Sequence, residues 1–287
     1  MKIITTHFNP QGYRRPIENY RRFRQSLGGL QEHLITVELS YSCLQEIPGA
    51  IWLRGGPQNV MWQKERLINY VIGRLPNHID KVCWVDADFI FLNPNWYEET
   101  KALLDDRPVV QCYSGIHFLD AHGRITHRLP SWTANFYNEG TPQHEPHGTP
   151  GGAWAARRDT LPGLLDESHL TGGGDQIMVQ CWTGRWQCYL FRQANRAMKH
   201  YAMRRGVAAY QAVRSRLGLT SGEVIHLYHG ERKNRHYESR TKLLADNDFD
   251  PETDIRVGDN GLLEWCSDKP QLHAAIAGYF ASRREDD

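Results

Sequence analysis

The stretch that most constrains the chain is Val82-Cys83-Trp84-Val85, a continuous apolar run that carries two carboxylates, Asp86 and Asp88, to the start of a second run, Phe89-Ile90-Phe91-Leu92. A run without polar alternation reads as a strand covered on both faces, as in the middle of a parallel sheet. Acids at its carboxyl end stand where open α/β sheets bind ligands, in the crevice outside the strand tips. Two acids one residue apart beside apolar surface are costly unless something positive sits with them. An Asp that merely caps a turn gives the same triplet, so the rest of the chain has to decide.

The flanking elements alternate. Lys2 to Thr6, Leu34 to Leu39 and Arg107 to Cys112 read as strands, Arg14 to Ser26 as an Arg-rich helix, and Asn59 to Leu75 as a helix stopped by Pro76. That order predicts an α/β fold. The segment from Ser114 to Gly152, rich in His, Pro, Gly, Asn and Trp, reads as long loops over a site. Phe249 to Trp265 reads as turns and short strands, and Pro270 to Arg284 as a last helix with Leu272, Ile276, Tyr279 and Phe280 inward. No stretch has linker composition. The expectation is one compact unit, with residues 1–240 as the main body and 241–287 as an extension packed on it.

Lys and Arg number 34 against 33 for Asp and Glu, so overall charge gives no reason to expect a polyanionic partner. One segment departs from this balance. Between Gln176 and Gly222 there is no acid, while Arg185, Arg192, Arg196, Lys199, Arg204, Arg205, Arg214 and Arg216 alternate with Tyr189, Tyr201 and Tyr210. Such a stripe suits a nucleic-acid backbone, or a helix that leaves its arginines in water. The six cysteines form no CxxC pair, and there is no apolar leader or membrane-length run. A reducing, cytoplasmic setting is the expectation.

The sharper reading of Asp86 and Asp88 is a hard divalent cation, Mn²⁺ or Mg²⁺, held by carboxylate oxygens and sharing substrate phosphates. WVDADFIFLNP resembles the DxD segment of GT-A glycosyltransferases, whose acids bind a metal that binds the diphosphate of a nucleotide-sugar. Upstream, WQKERLINYVIG is similar to the helix before that strand in the galactosyltransferases that build lactosamine. Downstream, TPGGAWAARRDTLPGLL and LTGGGDQIMVQCW resemble that family's Gly-Gly and Gly-rich acidic segments, and IHLYHGERKNRHY its metal-binding His segment. The segments keep one order from Trp62 to Tyr237. In the acidic segment this chain has Gly174-Asp175-Gln176 where the family has several acids.

The resemblance implies a GT-A, Rossmann-like fold with a mixed, mostly parallel sheet flanked by helices and a C-terminal extension. It implies a UDP-sugar donor, an acceptor saccharide or other hydroxyl-bearing molecule, and Mn²⁺ or Mg²⁺ held by Asp86 and Asp88. A neutral imidazole is a competent further ligand, with His229 the first choice and His226 the second. Asp175 is the expected general base, which gives inversion at the anomeric carbon; the plainer reading is a helix N-cap. Thr5, Thr6 and Phe8 at the first strand tip, Arg15, Lys64, Asn69, Ala87 and Gly174 are candidate donor contacts, as are Gly151, Gly152 and Trp154. The Gly151-Gly152 pair reads either as a mobile lid with Trp154 stacking on a sugar or as an ordinary turn into a buried strand. Arg232, Lys233 and Asn234 are candidate phosphate or acceptor contacts. Rival readings are a transferase acting on hydroxymethylated bases of DNA, a nucleotidyltransferase, and an inactive carbohydrate-binding relative. A nucleotidyltransferase should carry a Gly-rich, Lys-bearing loop after its first strand, which HFNPQGYRRP does not resemble.

Overall fold

The computed structural model describes residues 1–138, 148–161, 165–185 and 189–287, with the side chains of all of these but 189 and 190. In chain order the strands are β1 (Lys2–Phe8), β2 (Leu34–Ser40), β3 (Ile51–Arg54), β4 (Lys81–Val85), β5 (Phe89–Phe91), β6 (Val109–Gln111), β7 (Gly115–Leu119), β8 (Ile125–Pro130), β9 (Ala153–Arg157), β10 (Leu217–Leu219), β11 (Glu223–His226), β12 (Ile255–Val257) and β13 (Leu263–Trp265). The helices are α1 (Arg15–Ser26), α2 (Lys64–Ile72), α3 (Trp96–Leu103), α4 (Trp132–Asn138), α5 (Gly174–Thr183), α6 (Tyr189–Gln193), α7 (Arg196–Val213), α8 (Arg240–Asp246) and α9 (Pro270–Ser282).

The main sheet has seven strands in the order β10-β6-β9-β4-β1-β2-β3. Only β9 runs against its neighbours, β4 and β6, so the sheet is mixed and mostly parallel. The apolar run of β4 sits near its centre, as a strand buried on both faces must. Alternation sorts its side chains. Val82 and Trp84 join Ile4, Trp154 and the inner faces of α2 and α5, while Cys83 and Val85 join Ile3, Tyr20 and Phe23 of α1, and Trp96 and Tyr97 of α3. Thr5 is 1% exposed and donates to the Val85 carbonyl at 2.8 Å, which ties the tip of β1 to that of β4.

A smaller sheet, β5-β11-β7-β8, stands at the carboxyl end of β4. This corrects the expectation of loops from Ser114 onward. The sequence there forms β7 and β8, with Phe118 stacked on His127 across the pair. Residues 139–147 lie outside the described residues. The expected helix over Asn59 to Leu75 is also divided: Pro57–Asn59 is a 3-10 turn and α2 begins at Lys64. The break has a cause. The Asn59 and Gln63 amides both donate to the Leu263 carbonyl at 2.8 Å, and Gln63 Oε1 accepts from Leu263 N, which fastens the C-terminal segment to the main body. Leu244, Phe249, Leu272, Ile276 and Phe280 then share a core with Met61 and Leu170. Among the described residues no helix is long and apolar enough to cross a membrane.

Candidate active site

The turn between β4 and β5 carries both acids and is held from two sides. Asp86 N donates to the Gly152 carbonyl at 2.7 Å, and the Asp88 carbonyl accepts from Leu227 N, just past β11, at 2.8 Å. That second bond places His226, the last residue of β11, and His229 over Asp88. His229 Nε2 lies 3.4 Å and His226 Nε2 3.8 Å from Asp88 Oδ2. The three ligand atoms lie within 4.8 Å of one another, and the other Asp88 oxygen, Oδ1, is buried with no hydrogen-bond partner. One carboxylate and two imidazoles with an orphaned buried oxygen fit Mn²⁺, which takes mixed oxygen and nitrogen ligands.

Asp86 does not join this group. Its Oδ1 meets Lys64 Nζ of α2 at 2.7 Å, and the same ammonium reaches Asp175 Oδ2 at 3.2 Å. The positive partner of the first acid is therefore an internal lysine, and of the two acids Asp88 is the one within 4 Å of the imidazoles. Lys64 is 6% exposed. Burial works against its charge, yet Asp175, Asp86 and Glu65 together hold its pKa above the ordinary value. Burial pushes the Asp86 carboxyl up to about 6 against the pull of Lys64, and the Asp88 carboxyl up to about 6 against Arg235 and Lys64. Burial pulls His226 down to about 4 and His229 well below the usual range.

These directions fix a pH dependence. Near pH 7 both imidazoles are neutral and Asp88 is ionised, so the three groups are ready for a cation; as pH falls through 6, Asp88 takes a proton and competes with metal. Mn²⁺ affinity by titration calorimetry is expected to be flat from pH 8 to 7 and to fall by about tenfold per unit below 6. The folded carboxyl pKa values exceed the unfolded ones, so this pair favours the fold most below about pH 4 and that contribution is lost as pH rises through 6. Mn²⁺ held at Asp88 should offset the Asp88 share of that loss. At one fixed Mn²⁺ concentration the rise in Tm is expected to be larger at pH 7.5 than at pH 5.

Asp175 lies in the first turn of α5. The N-cap is Gly173, with φ of 101°, so the capping explanation for Asp175 does not hold. Its carboxylate points into a cavity of about 460 Å³ whose walls also include Thr6, Phe8, Lys64, Asp86, Ala87 and Asp88. Gly151, Gly152, His226, His229 and Arg232 complete the predicted residues found there.

Other predicted contacts are corrected. Trp154 is fully buried in β9, edge-on to Trp182 at 4.9 Å, with its indole nitrogen donating to the Pro150 carbonyl at 2.7 Å. It belongs to the core, and the turn reading replaces the lid. Asn69 is buried beneath the surface, where it holds Leu165 and Glu167 through its amide. Thr5 is spent on Val85. Arg15 lies over the Tyr228 ring, 5.0 Å from its centroid, outside the cavity wall. Gly174, Lys233 and Asn234 also lie off that wall.

The Gly-Gly pair has a local reason. A Cβ on Gly151 would meet Asp175 Oδ2 at 2.9 Å, and one on Gly152, at φ +99°, would lie 2.0 Å from the Phe89 ring. The pair lets Asp175 and the acidic turn approach one backbone. Gly152→Ala is expected to cost roughly 2 kcal/mol or more in chemical unfolding and to loosen the Asp86 turn.

Sequence reasoning missed Glu65, buried beside Lys64 with its pKa pushed by burial up to about 8. It also missed Arg235, Arg240, Arg283 and Glu285. Arg235 and Arg283 share Glu285 at 2.8 and 2.7 Å, so the end of the chain forms part of the cavity. No periodic signal marks these residues, since Arg235 lies in a 3-10 turn, Arg240 opens α8, and Arg283 and Glu285 follow α9. The basic stripe is largely engaged elsewhere: Arg204 pairs with Glu252, Arg185 lies over Phe136 and Arg205 over Tyr201. The side chain of Tyr189 lies outside the described residues, and nothing in the remainder favours DNA.

No family model and no curated protein matches the sequence. Among solved structures the chain is similar to glucosyl-3-phosphoglycerate synthase from Mycobacterium tuberculosis in complex with Mn²⁺, UDP and phosphoglyceric acid, at 12% identity and a TM-score of 0.44, covering 88% of this chain and 80% of that one. It is similar to the catalytic domain of Drosophila β1,4-galactosyltransferase 7 in complex with xylobiose, at 12% identity and a TM-score of 0.41, over 95% and 98%. It is similar as well to 4-diphosphocytidyl-2C-methyl-D-erythritol synthase from Anaerococcus prevotii, at 12% identity and a TM-score of 0.33, over 77% and 88%. Backbone likeness at this level does not separate enzyme types, and function has to be argued from the cavity.

Proposed function

We propose that the protein is a metal-dependent GT-A glycosyltransferase that moves a sugar from a nucleotide-sugar, a UDP-sugar by resemblance, to an acceptor hydroxyl with inversion. The observation that carries this reading is one cavity at the strand tips that joins the Asp88, His226 and His229 trio to the carboxylate side chain of Asp175. Asp88, His226 and His229 would hold Mn²⁺ or Mg²⁺, which when bound supplies Lewis-acid stabilisation of the leaving diphosphate. Lys64 fixes one oxygen of Asp175 and leaves the other to accept the proton of an attacking hydroxyl. A single displacement with one base inverts the anomeric centre. Thr6 and Phe8 at the tip of β1 border the space for nucleoside, and Gly151 and Gly152 let the sugar approach the backbone.

The test is nucleotide release from a panel of nucleotide-sugars with Mn²⁺, and with chelator in its place. Release of nucleoside diphosphate that needs the metal supports the reading. Pyrophosphate formed from a nucleoside triphosphate and a sugar 1-phosphate, with no diphosphate released from any nucleotide-sugar, would transfer the site to nucleotidyl chemistry. Ligand binding without turnover of any donor would leave a carbohydrate-binding relative.

A further inference from the structure

The charges of the cavity are unevenly answered. Lys64 is met by Asp86 and Asp175, and Arg235 and Arg283 by Glu285. Arg232 and Arg240 also line the wall, and among the described residues neither pairs with a carboxylate. They share one ring, with Cζ atoms 5.4 and 4.8 Å from the centroid of Tyr237. Histidines aside, the wall carries five cationic and four anionic side chains. A divalent cation and a doubly charged nucleotide-sugar cancel one another, so donor loading leaves the positive excess in place.

Position separates the two arginines from the metal side. Arg235 donates to the His229 carbonyl and so belongs with the metal trio. Arg240 instead lies along Gly172 and Gly173, the backbone that leads into Asp175: a Cβ there would meet its Nη1 at 3.2 Å and its Nη2 at 3.0 Å. Its Nε is buried with no hydrogen-bond partner. A guanidinium partly out of water, short of a counter-charge and beside the acceptor's base, is a waiting anion site. Trp62 stands on the same wall, 3.4 Å from the same point at Gly172, with its indole nitrogen also buried and unpartnered. The Arg283 guanidinium lies over its ring, 5.0 Å from the centroid, so what Trp62 has to offer an acceptor is this one donor.

We infer that the acceptor carries an anionic group, carboxylate or phosphate, which Arg240 and Arg232 grip while its hydroxyl faces Asp175. This rests on the glycosyltransferase reading above. The enzyme loaded with UDP and Mn²⁺ is titrated with glucuronate, glucose 6-phosphate and glucose. At least one anionic sugar is expected to bind tenfold or more tighter than glucose, the better of the two telling carboxylate from phosphate. Arg240→Gln and Arg232→Ala should each weaken that binding by tenfold or more, with UDP affinity in Mn²⁺ held within about twofold. The Arg232 side chain is exposed, so its removal does not threaten folding. Equal binding of glucose, or no binding of either anionic sugar, overturns the inference. So does a matching loss of UDP affinity in the variants, which would place both arginines on the donor diphosphate. Wild-type protein that binds no UDP would remove the glycosyltransferase reading itself, a separate outcome.

Discussion

Asp175→Asn is expected to lower sugar transfer by about 10²–10⁴-fold while leaving UDP binding in Mn²⁺ within about twofold of wild type. The substitution keeps the shape and removes the basic oxygen. Lys64 still has Asp86 at 2.7 Å, so the buried ammonium is not stranded and the fold should hold. Asp175 sits in the first turn of α5 without capping it, so no helix stability depends on its charge beyond the favourable end of the dipole. A structural role alone would lower thermal stability and turnover together. Single-turnover transfer with donor saturating, set beside the melting temperature, separates the two. Full transfer by Asp175→Asn would remove the base assignment.

Asp88→Ala is expected to weaken Mn²⁺-dependent UDP binding by more than 100-fold, beyond the 10–100-fold typical of losing an outer-shell partner. In metal-free buffer at pH 7.5 the same variant should be as stable as wild type or more so. The sign follows from burial: the folded state pushes the Asp88 carboxyl up to about 6, so at pH 7.5 its charge opposes the fold until a cation arrives. His229→Ala should cost more metal affinity than His226→Ala, since its Nε2 stands nearer to Asp88, at 3.4 against 3.8 Å. His226 also fills space between Phe89 and Phe118, so its removal is expected to show more in stability.

The parts of this site that are legible in the sequence are those whose chemistry is local. The apolar run of β4 and the acids at its tip announce a buried strand and a ligand crevice, and the two histidines three residues apart on an alternating run fall where pairing of β11 with β5 brings them to Asp88. What the sequence leaves open is which acid does what. Asp86 and Asp88 look equivalent until Lys64, far off in the chain, takes the first. Trp154 next to two glycines reads equally as a sugar platform or a core residue, and only the antiparallel pairing of β9 with β4, which sets it opposite Trp84, decides for the core. Asn69 and Thr5 are polar residues spent on buried backbone groups, a use that burial alone reveals. Arg240, the last residue of the expected main body, and Glu285, in the extension, fall in no quoted motif, and the extension is held to the body where Asn59 and Gln63 pin Leu263.

The central claim is that Asp88, His226 and His229 hold a metal that holds a nucleotide diphosphate, and calorimetric titration of UDP at pH 7.5 with Mn²⁺ and with chelator tests it most directly. The account predicts tight binding with Mn²⁺, at least 100-fold weaker binding with chelator, and no metal effect in Asp88→Ala. UDP binding of equal strength with and without Mn²⁺, or none in either condition, would contradict it.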